Sequence, residues 1–245
     1  MISWLVLSLE HLAKLAASHG DELNADVQEF DIGGKYFAFN NMPHFMGVVN
    51  LSPDSWYQES ICLNVESAVE RGRLLLGQGA HLVDLGSEST VLDAERVDAG
   101  AQMERLVPVI KELSQTGILV SAETYEPASA KACLEAGAAV INLTGSGESE
   151  EIYRMAAEHN AAVIICFVQG DNVRAVADRD LPTDPIPMLK EYFEQEIRRA
   201  TNVGLAKILI DPGLGFYYRN LQDSQTRIRH QMEVFLNTFR LRRFG

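Results

Sequence analysis

The sequence predicts an α/β domain built on a parallel sheet, and two observations carry that prediction. Short apolar or β-branched runs recur at Phe45–Asn50, His81–Gly86, Ile118–Thr124, Ala138–Thr144, Ala161–Val168 and Ala206–Asp211. Most are near-continuously hydrophobic, as parallel strands covered on both faces are. Segments of helical period lie between them, and such an alternation of strands and helices implies a parallel sheet. No low-complexity linker interrupts it. A chain of 245 residues, 47% of them hydrophobic, can bury a large core in one α/β domain or two small ones.

Taken in order, the elements begin with the apolar stretch Ile2–Ala17, which Glu10, His11 and Lys14 interrupt. It lacks a basic leader region and fits an amphipathic helix, not a signal peptide or a membrane span. Residues 1–28 are therefore read as a helical extension. Phe30–Ile32 and Tyr36–Phe39 flank Gly33-Gly34, which reads as a hairpin able to plug the bottom of a barrel. In Val65–Gln78 the residues Val65, Ala68, Val69, Leu75 and Leu76 share one face after a cap at Asn64. In Pro127–Ala136 a proline opens the helix and Gly137 closes it. Leu189, Phe193, Ile197 and Ala200 form a further stripe. So do Ile228, Met232, Phe235 and Phe239, after a cap at Asp223 or Ser224.

The formal net charge of -13 makes the chain a poor general binder of nucleic acid or anionic membrane. An anionic ligand would need local help from helix N-termini, a few basic residues or a metal ion. Cys62, Cys133 and Cys166 lie far apart with no CxxC pair, which fits reduced, buried thiols in a cytoplasmic protein. The run Ala161–Val168 is about a third of the length that crosses a bilayer, so no membrane partner is expected. GxGxxG after the first strand, GxxxxGK[ST], GxSxG and HExxH are all absent, which removes the usual nucleotide, hydrolase and zinc signatures.

A parallel sheet of this kind is a (β/α)8 barrel or an open doubly wound sheet, and both hold their ligand at the C-terminal strand ends. Those ends carry Asn50, then Glu88 to Thr90, Glu123, Asn142, Gln169 and Asp211. A polar or acidic group after nearly every apolar run points to a site; strand-end capping is the alternative reading. Asp84 lies within a strand and reads as a buried, hydrogen-bonded structural acid outside the site.

Five motifs then carry a resemblance. Met46-Gly47-Val48-Val49-Asn50-Leu51-Ser52-Pro53-Asp54-Ser55-Trp56 resembles MGxxNxTPDSF. Gly79-Ala80 with Val83-Asp84-Leu85-Gly86-Ser87-Glu88-Ser89-Thr90 resembles GAxxIDxGGEST. Ser121-Ala122-Glu123-Thr124-Tyr125 resembles SVDTxK, Ala136-Gly137 through Ile141-Asn142 resembles GAxxIND, and Leu209-Ile210-Asp211-Pro212-Gly213-Leu214-Gly215-Phe216 resembles LDPGxGF. In this order and on these strands, they resemble the dihydropteroate synthase family over roughly residues 30–240.

The resemblance implies a pterin-binding (β/α)8 TIM barrel over residues 29–245, with about six of its βα units and the N-terminal hairpin. It also implies a transferase of folate biosynthesis, which joins 6-hydroxymethyl-7,8-dihydropterin diphosphate to p-aminobenzoate and releases pyrophosphate with Mg²⁺ as cofactor. By the same resemblance, Asp211, Asn142 and Glu123 meet the pterin edge, where carboxylates accept from N–H donors and an amide both gives and takes. Thr90 donates its hydroxyl to the diphosphate and Asn50 offers an amide oxygen to Mg²⁺. Glu88 braces its loop.

The chain departs from the family where chemistry is expected. Glu123 stands in place of aspartate, and Phe167 in place of a histidine, an exchange expected to remove a polar group from the floor of the site. Tyr57-Gln58-Glu59-Ser60 replaces a serine, acid and glycine run. Val91-Leu92-Asp93 replaces Arg-Pro-Gly, and Tyr217-Tyr218 replaces Gly-Lys. Arg96 or Arg219 is the available substitute for a lost anion partner. The chain ends at Arg242-Arg243-Phe244-Gly245, before the family's seventh strand with its SRK lysine and the RxH of the eighth. The expectation is a fragment of a longer chain, homodimeric at full length; closure of the sheet edge by other means is the alternative. A non-catalytic pterin-binding or scaffold protein is the competing functional reading.

Overall fold

The structure is a computed structural model that describes residues 8–54, 57–89, 96–172, 181–215, 221 and 223–244. Six parallel strands form its centre: β3 (Met46–Asn50), β4 (Leu82–Gly86), β5 (Val120–Thr124), β6 (Val140–Leu143), β7 (Ala162–Cys166) and β8 (Ile208–Asp211). They are hydrogen-bonded in sequence order from β3 to β8. Each is shorter than its apolar run because the flanking residues turn into the adjoining loops.

Helices α3 (Val65–Gly77), α4 (Ala99–Gln115), α5 (Pro127–Glu135), α6 (Ser149–Glu158) and α7 (Ile186–Asn202) connect successive strands, and α8 (Ser224–Asn237) follows β8. Sequential parallel order with a helix after every strand is the winding of a TIM barrel. The expected caps form: Asn64 Oδ1 accepts from Ser67 N at 2.8 Å and Asp223 Oδ2 from Thr226 N at 2.7 Å. Asp98 likewise caps α4, accepting from Ala101 N at 2.9 Å. Ahead of the sheet lie α1 (Leu9–Ser18), the short α2 (Gly20–Leu23) and a hairpin of β1 (Phe30–Ile32) and β2 (Lys35–Phe37).

Strand alternation separates two cores. Outward positions such as Val49, Val83, Leu85, Val120, Ala122, Ile141, Val163 and Ile165 pack beneath the helices. Inward positions Leu82, Leu119, Val140, Ala162, Ile164 and Cys166 form a second cluster with Ile32 and Phe37 of the hairpin. The hairpin therefore closes the N-terminal end of the strands, as its sequence suggested. Gly33 makes the approach possible: it has φ +55, and a methyl group there would stand 2.5 Å from Leu119 Cδ2.

One expectation needs correcting. The stripe Ile228, Met232, Phe235 and Phe239 does not face the core. Ile228 is 58% exposed and Phe235 67%, and α8 instead buries His230, Val234 and Asn237. Of these three only Val234 is apolar, and it joins the same core cluster as Leu241, so the widest apolar stripe of the helix is not the one that is buried. The amphipathic helix expected near the start forms as α1, which buries no residue and leaves Leu9 85% exposed. Among the described residues no helix is long and apolar enough to cross a membrane.

Because Phe37 is 3% exposed and anchors the plug, Phe37→Ala should cost about 3–5 kcal/mol. The check is a shift in the chemical denaturation midpoint; an unchanged midpoint would mean that the hairpin does not close the barrel.

Candidate functional site

Strand register brings the predicted residues together. Asn50 on β3 pairs with Gly86 on β4, Gly86 with Glu123 on β5, and Glu123 with Asn142 on β6. All four positions point inward at the same height. Gly86 gives this row its room, since a methyl group there would stand 2.8 Å from Glu123 Oε2 and 3.0 Å from Asn50 Oδ1. Asp211, paired with Cys166 at the other end, completes the rim.

Below the row runs a chain of side-chain hydrogen bonds. Ser121 Oγ donates to Asp84 Oδ1 at 2.6 Å, and Asn142 Nδ2 donates to Asp84 Oδ2 at 3.0 Å. The Cys166 thiol donates to Asn142 Oδ1 at 3.2 Å and lies 3.7 Å from Asp211 Oδ2. Gly213 N donates to Asp211 Oδ1 at 2.8 Å, which explains the Asp-Pro-Gly turn at this strand end. Asp84 is indeed a buried, hydrogen-bonded acid, but it holds a site residue directly.

The electrostatics are uniformly negative. Burial pushes Asp84 up to about 6, against the pull of its Ser121 and Asn142 hydrogen bonds. Burial, with Asp84, Glu88 and Asp211 nearby, pushes Glu123 up to about 8. Glu123 is thus largely a neutral carboxyl at pH 7, able to donate one hydrogen bond as well as accept. Burial and the surrounding carboxylates keep the Cys166 thiol protonated.

The rim is tied down by specific contacts. Asn50 Nδ2 donates to Ser60 Oγ at 2.6 Å, and Ser60 Oγ donates to Tyr57 O at 2.6 Å, so the altered Tyr57–Ser60 segment holds Asn50 in place. Glu88 accepts from Val97 N at 3.1 Å and from Tyr125 Oη at 2.7 Å, bracing its loop as expected. Arg96 Nη1 donates to Tyr125 Oη at 3.3 Å, which places it on this brace. Gln169 Nε2 lies against Met188 Sδ at 3.2 Å. Thr90 and Arg219, singled out in the sequence, lie outside the described residues.

Phe167 requires a correction. It faces away from the floor and packs edge-on against Tyr192 of α7, ring centroids 4.9 Å apart. Position 167 is on the outward phase of β7, so histidine or phenylalanine there leaves the floor unchanged. Cys166 and Ser121 were missed as site-forming residues. Their signal was the inward phase they share with Asp84 and Asn142.

A family model described as pterin binding enzyme matches residues 46–239. A dihydropteroate synthase of Synechocystis sp. is 29% identical over 189 residues, covering 76% of this chain and 65% of that protein. One from Streptococcus pyogenes serotype M3 is 31% identical over 187 residues, covering 75% of this chain and 67% of that protein. The chain thus spans about two thirds of the length of these relatives. The crystal structure of Yersinia pestis dihydropteroate synthase with a sulfonamide drug complex superposes with a TM-score of 0.73 at 25% identity, covering 89% of this chain and 76% of that one.

The Glu123 carboxyl has a pH consequence. Its folded value of about 8 exceeds the ordinary 4.5, so the folded state binds more protons between those limits. Stability therefore falls as pH rises across that window. Glu123→Gln should raise Tm by several degrees at pH 8.5, with the gain shrinking toward zero near pH 4.5. Melting curves at the two pH values check this; an equal gain at both would show that ionisation is not the cause.

Proposed function

The chain belongs to the pterin-binding enzyme family that includes the dihydropteroate synthases, and on that premise we propose that it binds a reduced pterin on the strand-end row and transfers it to an arylamine. The substrates of this reading are 6-hydroxymethyl-7,8-dihydropterin diphosphate and p-aminobenzoate, which form dihydropteroate in folate biosynthesis. The observation that carries it is the register of Asn50, Gly86, Glu123 and Asn142, with Asp211 at the end of β8 linked to Asn142 through Cys166.

A pterin edge alternates N–H donors with ring-nitrogen acceptors. Asp211 accepts from adjacent donors, while the Asn142 amide both gives and takes. Without a cation beside it, protonated Glu123 adds a donor that an ionised aspartate would lack; with a cation over Gly86 it would be a carboxylate and accept. In the reaction, the bond between the pterin methylene carbon and the diphosphate oxygen breaks as the arylamine nitrogen attacks that carbon. Pyrophosphate leaves with the bonding pair, and the amine gives up one proton. The carboxylates around the floor stabilise the positive charge that develops on the pterin. Thr90 belongs to this reading as a donor to the diphosphate.

The residues present fit Mg²⁺. Asn50 Nδ2 is held by Ser60, which turns Oδ1 toward the space over Gly86, beside Glu123 Oε2. Among the described residues no group of three or more His, Cys, Asp or Glu side chains makes a metal cage. That suits a cation that keeps several waters and takes substrate oxygens. Bound there, Mg²⁺ would neutralise the diphosphate in a mouth that is otherwise negative.

A second reading, a non-catalytic pterin-binding or scaffold protein, is favoured by one observation. Arg96, the available substitute for the arginine that Val91-Leu92-Asp93 lacks, donates to Tyr125 on the Glu88 brace. The buried free thiols suit a cytoplasmic protein in either case.

Calorimetry with the pterin diphosphate, with and without Mg²⁺, should detect binding. Asn142→Ala or Asp211→Ala should weaken it by about 10- to 100-fold. Asn50→Ala should weaken it only when Mg²⁺ is present. Dihydropteroate formation with p-aminobenzoate supports the synthase; binding without pyrophosphate release supports the second reading. Absence of pterin binding sinks both.

A further inference from the structure

The Asn142 amide can recognise a ligand only if its oxygen and nitrogen are presented in a fixed order. A carboxamide turned end for end looks nearly the same in shape but offers the opposite pattern of donor and acceptor. The floor holds this amide from both sides. Nδ2 gives one hydrogen to Asp84 Oδ2 at 3.0 Å, and Oδ1 receives the Cys166 thiol hydrogen at 3.2 Å. Turning the amide would break the first bond, leave the thiol without its acceptor and set an amide oxygen against a carboxylate.

Cys166 suits this task for reasons visible in the structure. It is the last residue of β7, 1% exposed, and it points inward between Asn142 and Asp211. Burial, with the acidic neighbours Asp211, Glu123 and Asp84, keeps the hydrogen on the sulfur, so it remains a donor. An apolar side chain of similar size would fill the space but leave Oδ1 without that partner. A second hydrogen on Nδ2 and a second lone pair on Oδ1 are not used by these two bonds, and they constitute the donor–acceptor pair the amide can show a ligand.

We propose that Cys166 is a positioning residue of the ligand floor, whose thiol fixes the orientation of the Asn142 amide and thereby sets selectivity for the pterin pattern of donors and acceptors. The proposal rests on the pterin reading above. Losing one hydrogen bond from the hold on the amide corresponds to about a fivefold change.

Three measurements on the full chain test it. The infrared S–H band of Cys166, identified by its loss in Cys166→Ala, should lie at the lowered frequency of a hydrogen-bonded thiol without any ligand, and should stay lowered in Asp211→Ala, which removes the other acceptor, 3.7 Å from the sulfur. A frequency typical of a free thiol overturns the proposal. Binding of 6-hydroxymethylpterin should be about fivefold weaker in Cys166→Ala and largely restored in Cys166→Ser, whose hydroxyl is also a donor. Selectivity for that pterin over lumazine, in which a carbonyl replaces the 2-amino donor, should fall by about the same factor in Cys166→Ala and return in Cys166→Ser. Equal selectivity in all three proteins, or a serine variant no better than the alanine one, overturns the proposal. If the wild-type protein binds neither compound, the pterin reading fails instead, and the infrared band still decides whether the thiol holds the amide.

Discussion

Asp84 is the constraint on which the interior depends. It sits inside the sheet at 4% exposure, where an unsatisfied carboxylate would be too costly to keep. Its two oxygens are met from two different strands, by Ser121 on β5 and Asn142 on β6. Through Asn142 the chain of bonds reaches Cys166 on β7 and then Asp211 on β8. Five consecutive strands are thus linked by side chains across two successive inward levels, in addition to their backbone ladders. Any slip in register would move these groups to the opposite face, leaving polar atoms under the helices. The same bonds that stabilise the register orient the groups lining the cavity.

That arrangement concentrates acid in a small volume. Asp84, Glu88, Glu123 and Asp211 influence one another, and burial and repulsion are relieved by keeping protons on some of them. Glu123 carries most of this load because its neighbours in register are a glycine and an amide. An interior optimised for stability alone would not gather four acids here. Groups held in unfavourable ionisation states inside a cavity are a mark of functional sites, because a ligand's donors or a cation can repay the cost.

Much of this was legible in the sequence, for a physical reason. Parallel strands covered on both faces must be continuously apolar, so the polar residue ending each run stands out, and register then gathers Asn50, Glu123 and Asn142 in one row. What was not legible depends on phase and on competition between faces. Phe167 and Cys166 are adjacent, and only the pleat decides that the thiol joins the floor while the ring joins α7. On α8 the apolar Ile228 and Phe235 stand exposed while Val234 is buried beside the polar His230 and Asn237, a choice that periodicity does not reveal. Asp84 reads as structural because it interrupts an apolar run, yet its second oxygen is what anchors Asn142.

Floor and rim are built on different supports, and this bears on how the altered loops are understood. Floor groups project from strands locked by neighbours on both sides, so changes in the loops leave their geometry intact. Rim groups depend on local contacts: Ser60 and Tyr57 hold Asn50, and Tyr125 links Glu88 to Arg96. Here the replacement segment has found its own way of fixing the amide of Asn50, although its residues differ from those of the family. On the other side of the mouth, an arginine is committed to a tyrosine that is itself committed to an acid. Recognition of a flat heterocycle needs only the floor, whereas handling a diphosphate needs positive charge delivered at the rim. In the pterin reading proposed above, the acidity of the floor makes that delivery more demanding, so the balance between binding and transfer would rest on positive charge brought to the rim, not on the strand-end row.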